Sequence, residues 1–243
     1  MNSDSIWKAD DILEFHARQF REPNRSTIHL GRFLQTLGLP ESADVLDVGC
    51  GAGAPILNLA TLFPGYRWTG LDVEGHALFP LGRAEAQKRG ISVDFIEGDF
   101  YRLSDAVDGR TFDLVLCIQT LPFIPDYWPA LEQLLAVTRG RLVVSCLFTP
   151  LDIDARTLMI DYSKPEGGRE LHYNTYSLPR FERFCADRGF GRFVSREFEM
   201  DIDLPQRAEG RGTYTRTLAD GKRLQFSGPV HLPWMFLAME RTR

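Results

Sequence analysis

The stretch Val45-Leu46-Asp47-Val48-Gly49-Cys50-Gly51-Ala52-Gly53-Ala54-Pro55 decides how the rest of the chain is read. Val45, Leu46 and Val48 form the apolar run that a strand buried on both faces needs. Gly49, Gly51 and Gly53 clear side chains from the turn that follows, so a ligand can approach the backbone. Pro55 suits the first turn of a helix, where a missing N–H costs nothing. The N-terminus of that helix points free N–H groups and a positive dipole end at whatever lies on the turn. Strand, glycine turn and helix together make a ligand cradle.

Two ligand classes use such a cradle. The dinucleotide fingerprint G-x-G-x-x-G/A fits as Gly49, Gly51 and Ala54, with Asp72 about 20 residues on as a ribose-binding acid. By itself that match favours neither class. Asp47 separates them, because a carboxylate two residues before the turn is an odd choice for a buried strand and would repel a pyrophosphate. NAD offers this loop two phosphates, whereas S-adenosylmethionine carries a sulfonium and an ammonium that suit an acid. The bland alternative is that Asp47 accepts hydrogen bonds from loop amides.

The segments downstream extend the pattern. Trp68-Thr69-Gly70-Leu71-Asp72-Val73, Ile96-Glu97-Gly98-Asp99-Phe100 and Phe112-Asp113-Leu114-Val115-Leu116-Cys117 read as three further strands, the first two ending in an acid. With the glycine stretch, in this order and spacing over residues 43–147, they resemble the motifs of class I S-adenosylmethionine-dependent methyltransferases. Met200-Asp201-Ile202-Asp203-Leu204-Pro205, Gly212-Thr213-Tyr214-Thr215, Gln225-Phe226-Ser227-Gly228-Pro229, Pro233-Trp234 and Glu22-Pro23-Asn24-Arg25-Ser26-Thr27 resemble a bacterial subgroup of the small-molecule or glycan type. The resemblance implies S-adenosyl-L-methionine as cofactor and a small-molecule or sugar acceptor.

The expected fold is α/β: a doubly wound, mostly parallel, seven-stranded Rossmann-like sheet with N-terminal helices and a β-hairpin inserted before the last strand. Residues 1–243 are expected to form a single methyltransferase domain. A helical cap covers 1–40, the cofactor-binding core 41–149, and an acceptor-side half 150–243 with a hairpin at 213–226. Strands are expected near 43–48, 67–72, 92–97, 112–118 and 139–147, with helices near 54–63, 76–89 and 126–137. Residues 150–176 read as irregular, with a loop at Pro165-Glu166-Gly167-Gly168. Ser177 is placed as the cap of a helix over 177–189, followed by a strand over 192–204. Asp220-Gly221 between alternating runs signals the hairpin, and Trp234-Met235-Phe236-Leu237-Ala238-Met239 the last strand.

Composition narrows the function classes. The 243 residues can bury a sizeable core, and the net charge of −5 argues against a large nucleic-acid footprint. Cys50, Cys117, Cys146 and Cys185 are far apart and form no C-x-x-C pair, so neither a zinc site nor a disulfide framework is expected. They suit a reducing, cytoplasmic setting. No signal peptide is read at the N-terminus, and no apolar run reaches membrane-spanning length.

In a doubly wound sheet the ligand lies at the carboxyl ends of the strands, where Asp47, Asp72, Asp99 and Gln119 fall. The resemblance implies that Asp72 accepts from both ribose hydroxyls, two carboxylate oxygens matching a vicinal diol; otherwise it caps the next helix. Asp99, following Gly98, would accept from the adenine amine beside the Phe100 amide, or be a solvated loop acid. Leu71, Val73 and Phe100 would flank the adenine or belong to the core. Gly49, Cys50, Gly51 and Gly53 form the loop that admits the methionine portion. Arg25 could hold the cofactor carboxylate as a bidentate pair or be a surface residue. Gln119 stands where the family often contacts cofactor or acceptor.

For a hydroxyl nucleophile a base helps, and His172 and His231 are the candidates, each with an ordinary structural role as the alternative. His16, His29 and His76 lie on expected helices and carry less weight. Tyr173, Tyr176, Tyr214, Trp128 and Phe123 line an acceptor pocket or pack a core. Other readings stay open: an N- or C-methyltransferase, a non-catalytic S-adenosylmethionine-binding subunit, or an NAD(P)-dependent oxidoreductase.

Overall fold

The structure, a computed structural model, describes residues 9–161, 169–199, 201–203, 205, 213–227 and 234–242. Its backbone gathers into two compact units. One comprises the chain up to Ile118 with Trp128–Leu142; the other comprises Gln119–Tyr127 and the chain from Val143 onward.

The first unit opens with α1 (Ala9–Arg21) and α2 (Arg25–Gln35), separated by Pro23. Then β and α alternate: β1 (Asp44–Val48), α3 (Ala54–Leu62), β2 (Arg67–Asp72), α4 (Gly75–Arg89), β3 (Val93–Glu97), a single turn α5 (Leu103–Ala106) and β4 (Phe112–Ile118). Helix α6 (Tyr127–Val137) leads into β5 (Thr138–Thr149). β1 pairs in parallel with β2 and β4, and β2 with β3. Val45, Leu46, Val48, Leu114, Val115 and Leu116 are buried, the continuous apolar texture of strands covered on both faces. Chain order reverses between β1 and β4, and such a switch point opens a crevice at the carboxyl edge.

The amino edge of the same strands is closed by charge. Arg67 Nε donates to Asp44 Oδ1 at 2.6 Å, and Arg139 Nη2 donates to Asp44 Oδ2 and Asp113 Oδ2, both at 2.8 Å. The Asp44 amide adds a bond to Asp113 at 2.9 Å. Hydrogen bonding from Arg67 and then Arg139 holds the Asp44 carboxyl below its usual range, and Arg139 does the same for Asp113.

The second unit holds the rest of β5, β6 (Leu158–Asp161), β7 (Arg169–His172), β8 (Tyr176–Ser177), α7 (Leu178–Ala186), β9 (Phe190–Glu197), β10 (Thr213–Thr217), β11 (Arg223–Ser227) and β12 (Trp234–Arg241). β12 and β9 are antiparallel, and β8 runs parallel to β5. The strands of the main sheet follow the order β3-β2-β1-β4-β5-β12-β9. Ser177 caps α7 by accepting from the Arg180 amide, as expected. β10 and β11 form the hairpin turned by Asp220-Gly221, with Gly221 at φ 86°.

One expectation is corrected here. The segment over 150–176 is not irregular throughout, because β6 and β7 pair as an antiparallel ladder and Ala155 bridges Thr175. Each strand has only four residues, too few for alternation to declare itself. The expected loop Pro165-Glu166-Gly167-Gly168 lies outside the described residues.

Candidate active site

The glycine loop is tied down from β2. Gly49 and Cys50 both donate their amides to the Leu71 carbonyl, at 2.8 and 3.1 Å. Gly51 donates its amide to Asp72 Oδ2 at 2.8 Å, and Glu74 donates to Asp72 Oδ1 at 3.0 Å. Each carboxylate oxygen thus accepts one amide and keeps lone-pair capacity for a diol. Gly49, Gly51 and Gly53 all sit at left-handed φ (77°, 57° and 80°), where a side chain would be strained. Gly53 forms the N-terminal boundary of α3, which carries Pro55 in its first turn.

Beneath this loop lies Asp47, 3% exposed on β1. Burial, and then the nearby charge of Asp72, push its carboxyl up to about 7. The Cys50 thiol is buried and pushed up by the same causes, so it is an inert neighbour rather than a nucleophile. No salt bridge reaches Asp47 or Asp72 among the described residues.

Asp99 is exposed after β3, and its Oδ1 accepts from the Tyr101 amide at 2.9 Å, capping a short turn over Phe100–Arg102. The Gly98 amide donates to the Asp72 carbonyl at 3.2 Å, linking the ends of β2 and β3. Leu71 is core, packed where a side chain on Gly98 would have to go. Val73, 51% exposed, and the half-buried Phe100 are the apolar side chains left at the surface here. The first unit therefore brings together Asp47, Gly49, Cys50, Gly51, Gly53 and Asp72, with Val73, Gly98, Asp99 and Phe100 on the adjoining strand ends.

Arg25 is the first residue of α2, whose preceding residue Asn24 takes the Thr27 and Ile28 amides on its carbonyl. α2 packs on α3, whereas α1 touches both α3 and α4. The side chain that a β-carbon on Gly51 would meet is not Arg25 but His16 of α1. A β-carbon on Gly51 would stand 2.4 Å from His16 Cε1 and 3.1 Å from its Nδ1. The stripe of His16-Ala17 and Phe20 marks the inward face of α1, with Leu13 a turn earlier exposed, but periodicity does not say which loop that face meets.

Within the second unit, Gln119 follows β4 with φ 57°, rare for a side chain that is not glycine, and donates its amide to the Ser145 carbonyl at 2.9 Å. The loop after it is clamped by buried Asn174, which donates its amide to the Pro122 carbonyl and its Nδ2 to the Ile124 carbonyl. The Tyr176 hydroxyl donates to the Leu121 carbonyl at 2.9 Å. Tyr176 also packs on Tyr127, and Tyr173 meets Phe123 edge-on. Tyr173, Tyr176 and Tyr214 are buried packing residues, while Phe123 is exposed. His172 ends β7, half-buried, paired in register with Leu158. His231 lies outside the described residues.

Residues 45–140 match a family described as a methyltransferase domain. A curated relative, the ubiquinone biosynthesis O-methyltransferase of Actinobacillus pleuropneumoniae serotype 5b (strain L20), is 32% identical over 127 residues, 48% of this chain. The match spans 53% of that relative, about half its length. Among solved structures, an S-adenosylmethionine-dependent methyltransferase from Clostridium acetobutylicum ATCC 824 aligns over 96% of this chain and 99% of its own, with a TM-score of 0.61 at 12% identity. The magnesium protoporphyrin IX methyltransferase from Synechocystis PCC 6803, solved with bound SAM, aligns over 99% and 87%, with a TM-score of 0.54 at 15% identity. The mostly parallel main sheet, seven strands in the order given above, thus belongs to a fold shared with these solved methyltransferases.

Proposed function

We propose that the chain is an S-adenosylmethionine-dependent methyltransferase acting at oxygen on a small-molecule or sugar acceptor, a reading supported by the match of residues 45–140 to a methyltransferase-domain family and by the fold shared with a solved methyltransferase. The observation that carries this reading is Asp47: a buried acid, raised to about 7, under a loop clear of side chains. A second negative charge on that loop would deepen its penalty, and a cation relieves it. The acid therefore fits a sulfonium–ammonium ligand and opposes a pyrophosphate. The curated relative's O-methyltransferase name supports oxygen as the atom methylated.

The chain's residues would share the work as follows. Asp72, pre-oriented by the Gly51 and Glu74 amides, takes the ribose diol. Asp99 and the Phe100 amide take the adenine edge, with Val73 and Phe100 against its faces. Gly49, Gly51 and Gly53 admit the amino-acid portion, whose ammonium answers Asp47 and whose carboxylate Arg25 takes. Gln119 contacts cofactor or acceptor. When bound, S-adenosylmethionine supplies a methyl group already activated on a sulfonium.

The protein must orient the acceptor oxygen in line with that methyl and exclude water. His172 would take the proton that the acceptor hydroxyl loses, as that oxygen gains the methyl carbon whose bond to sulfur breaks, S-adenosylhomocysteine being the leaving group. Incubation with methyl-labelled S-adenosylmethionine and a panel of small molecules and sugars that offer hydroxyl, amine and carbon nucleophiles tests the reading. Labelled ethers with matching S-adenosylhomocysteine are expected. Label appearing only on amine or carbon nucleophiles would overturn the choice of oxygen. Tight binding without transfer to any of the three would make the chain a binding subunit.

A further inference from the structure

The fold places one polar side chain over the cradle that the cofactor assignments above do not use. Helix α1 is fixed at its C-terminal end: Phe20 is buried among Ala52, Ala54, Leu57, Leu78 and Ala86, the residues of the glycine loop and of the helices beside it. Arg89 of α4 donates from its guanidinium to the Phe20 carbonyl. One helical turn back from Phe20, on the same face, is His16. Its ring covers Gly51, with Cε1, Nδ1 and Nε2 at 2.4, 3.1 and 3.2 Å from where a β-carbon would stand. Phe15 backs it edge-on at 5.3 Å.

His16 Nδ1 is buried and has no hydrogen-bond partner among the described residues. Buried polar atoms ordinarily find one, so an orphan over a ligand loop points to a group that arrives with the ligand. Burial lowers the His16 pKa, against the opposing pull of the Asp72 charge, and so favours the neutral ring. A neutral imidazole offers one donor and one acceptor, and it can serve either the carboxylate or the ammonium of an amino acid.

We propose that His16 is a cofactor-positioning residue: α1 holds its imidazole against Gly51 so that, with cofactor present, Nδ1 hydrogen-bonds to the cofactor's amino-acid portion. This rests on the cofactor reading above. It adds a contact from α1 to the roles given to Asp47 and Arg25, and it makes the N-terminal helix part of the binding site rather than a cover for the core.

The test compares S-adenosylhomocysteine with 5′-methylthioadenosine, which shares the nucleoside and lacks the amino acid. Titration calorimetry would be run on wild type, His16→Ala, His16→Leu and His16→Asn. His16→Leu keeps the bulk over Gly51 and removes both nitrogens, so it decides the matter should His16→Ala melt early. Both apolar variants should lose about 5- to 10-fold affinity for S-adenosylhomocysteine, the scale of one hydrogen bond, and stay within about twofold for 5′-methylthioadenosine. His16→Asn, which can place a polar atom near Nδ1, should recover most of the loss. Equal losses for both ligands, no loss, or tighter binding on removing the ring would overturn the proposal. Wild-type protein that binds neither ligand would overturn the cofactor reading itself, and this inference with it.

Discussion

The two edges of the parallel strands in the first unit carry the same chemistry to opposite ends. At the amino edge Asp44 and Asp113 are held between Arg67 and Arg139, and their carboxyls are driven below the usual range. At the carboxyl edge Asp47 is driven up to about 7, and Asp72 is held by backbone amides with no salt bridge among the described residues. Charges that close on each other serve the fold. Charges kept apart from counterions, on a loop cleared of side chains, store a cost that a cationic ligand relieves.

That contrast can be broken most sharply at Asp72. Asp72→Asn keeps an oxygen for the Gly51 amide but removes the charge offered to a diol. S-adenosylhomocysteine affinity should fall about 100-fold, the scale of two charge-assisted hydrogen bonds, while loss of the Glu74 amide's acceptor lowers the melting temperature by only about 2–4 °C, as for ~1 kcal/mol. Unchanged affinity by calorimetry would remove Asp72 from the site.

Asp47 comes next. Burial raises its folded pKa from the ordinary carboxylate range to about 7, so its contribution to stability is full below about pH 4 and is lost as pH rises through about 7. A cationic ligand favours the ionised form, so binding should tighten about 10-fold from pH 6 to pH 8 and release a proton, seen as buffer-dependent heats. Asp47→Asn should abolish that slope and raise the melting temperature of ligand-free protein at pH 8 by about 2–4 °C, as for ~1 kcal/mol in a chain of this size. A slope that survives the substitution would assign the titration to another group.

The amino edge should behave in the opposite way. Arg139→Met leaves Asp44 and Asp113 facing each other, and their partly exposed positions limit the loss to about 1 kcal/mol, or 2–4 °C in melting temperature. Cofactor affinity should not move; a variant that melts normally but binds poorly would contradict the division between the edges. The smallest effect is expected at Asp99, which spends one oxygen on the Tyr101 amide. Asp99→Ala should cost about threefold in affinity, the lower end for one hydrogen bond, and an unaltered titration would leave it as a turn cap alone.

Much of this architecture was legible because backbone physics writes it locally. The apolar run Val45–Val48, the glycines after it and Pro55 could form little besides strand, turn and helix start, and β1 and α3 stand there. Asp220-Gly221 and Ser177 announced a hairpin and a helix cap by the same local chemistry. The candidate site was legible only where a residue lies on such an element. Asp47 and Asp72 stand at strand ends that periodicity locates, but the bond from the Gly51 amide to Asp72 spans 21 positions and has no local signature. His16 shows the limit: its stripe marks the inward face of α1, yet its position over Gly51 depends on how Phe20 and Arg89 seat the helix. The β6–β7 ladder was hidden because four-residue strands are too short to display a period.

The central claim is that the carboxyl edge is built for an adenosine ligand that brings an ammonium to Asp47 rather than a pyrophosphate. Titrating ligand-stripped protein with S-adenosylhomocysteine and, separately, with NADH tests it most directly. Micromolar binding of S-adenosylhomocysteine without binding of NADH is the predicted result. Binding of NADH without S-adenosylhomocysteine would contradict the claim and make Asp72 the ribose ligand of a nicotinamide cofactor.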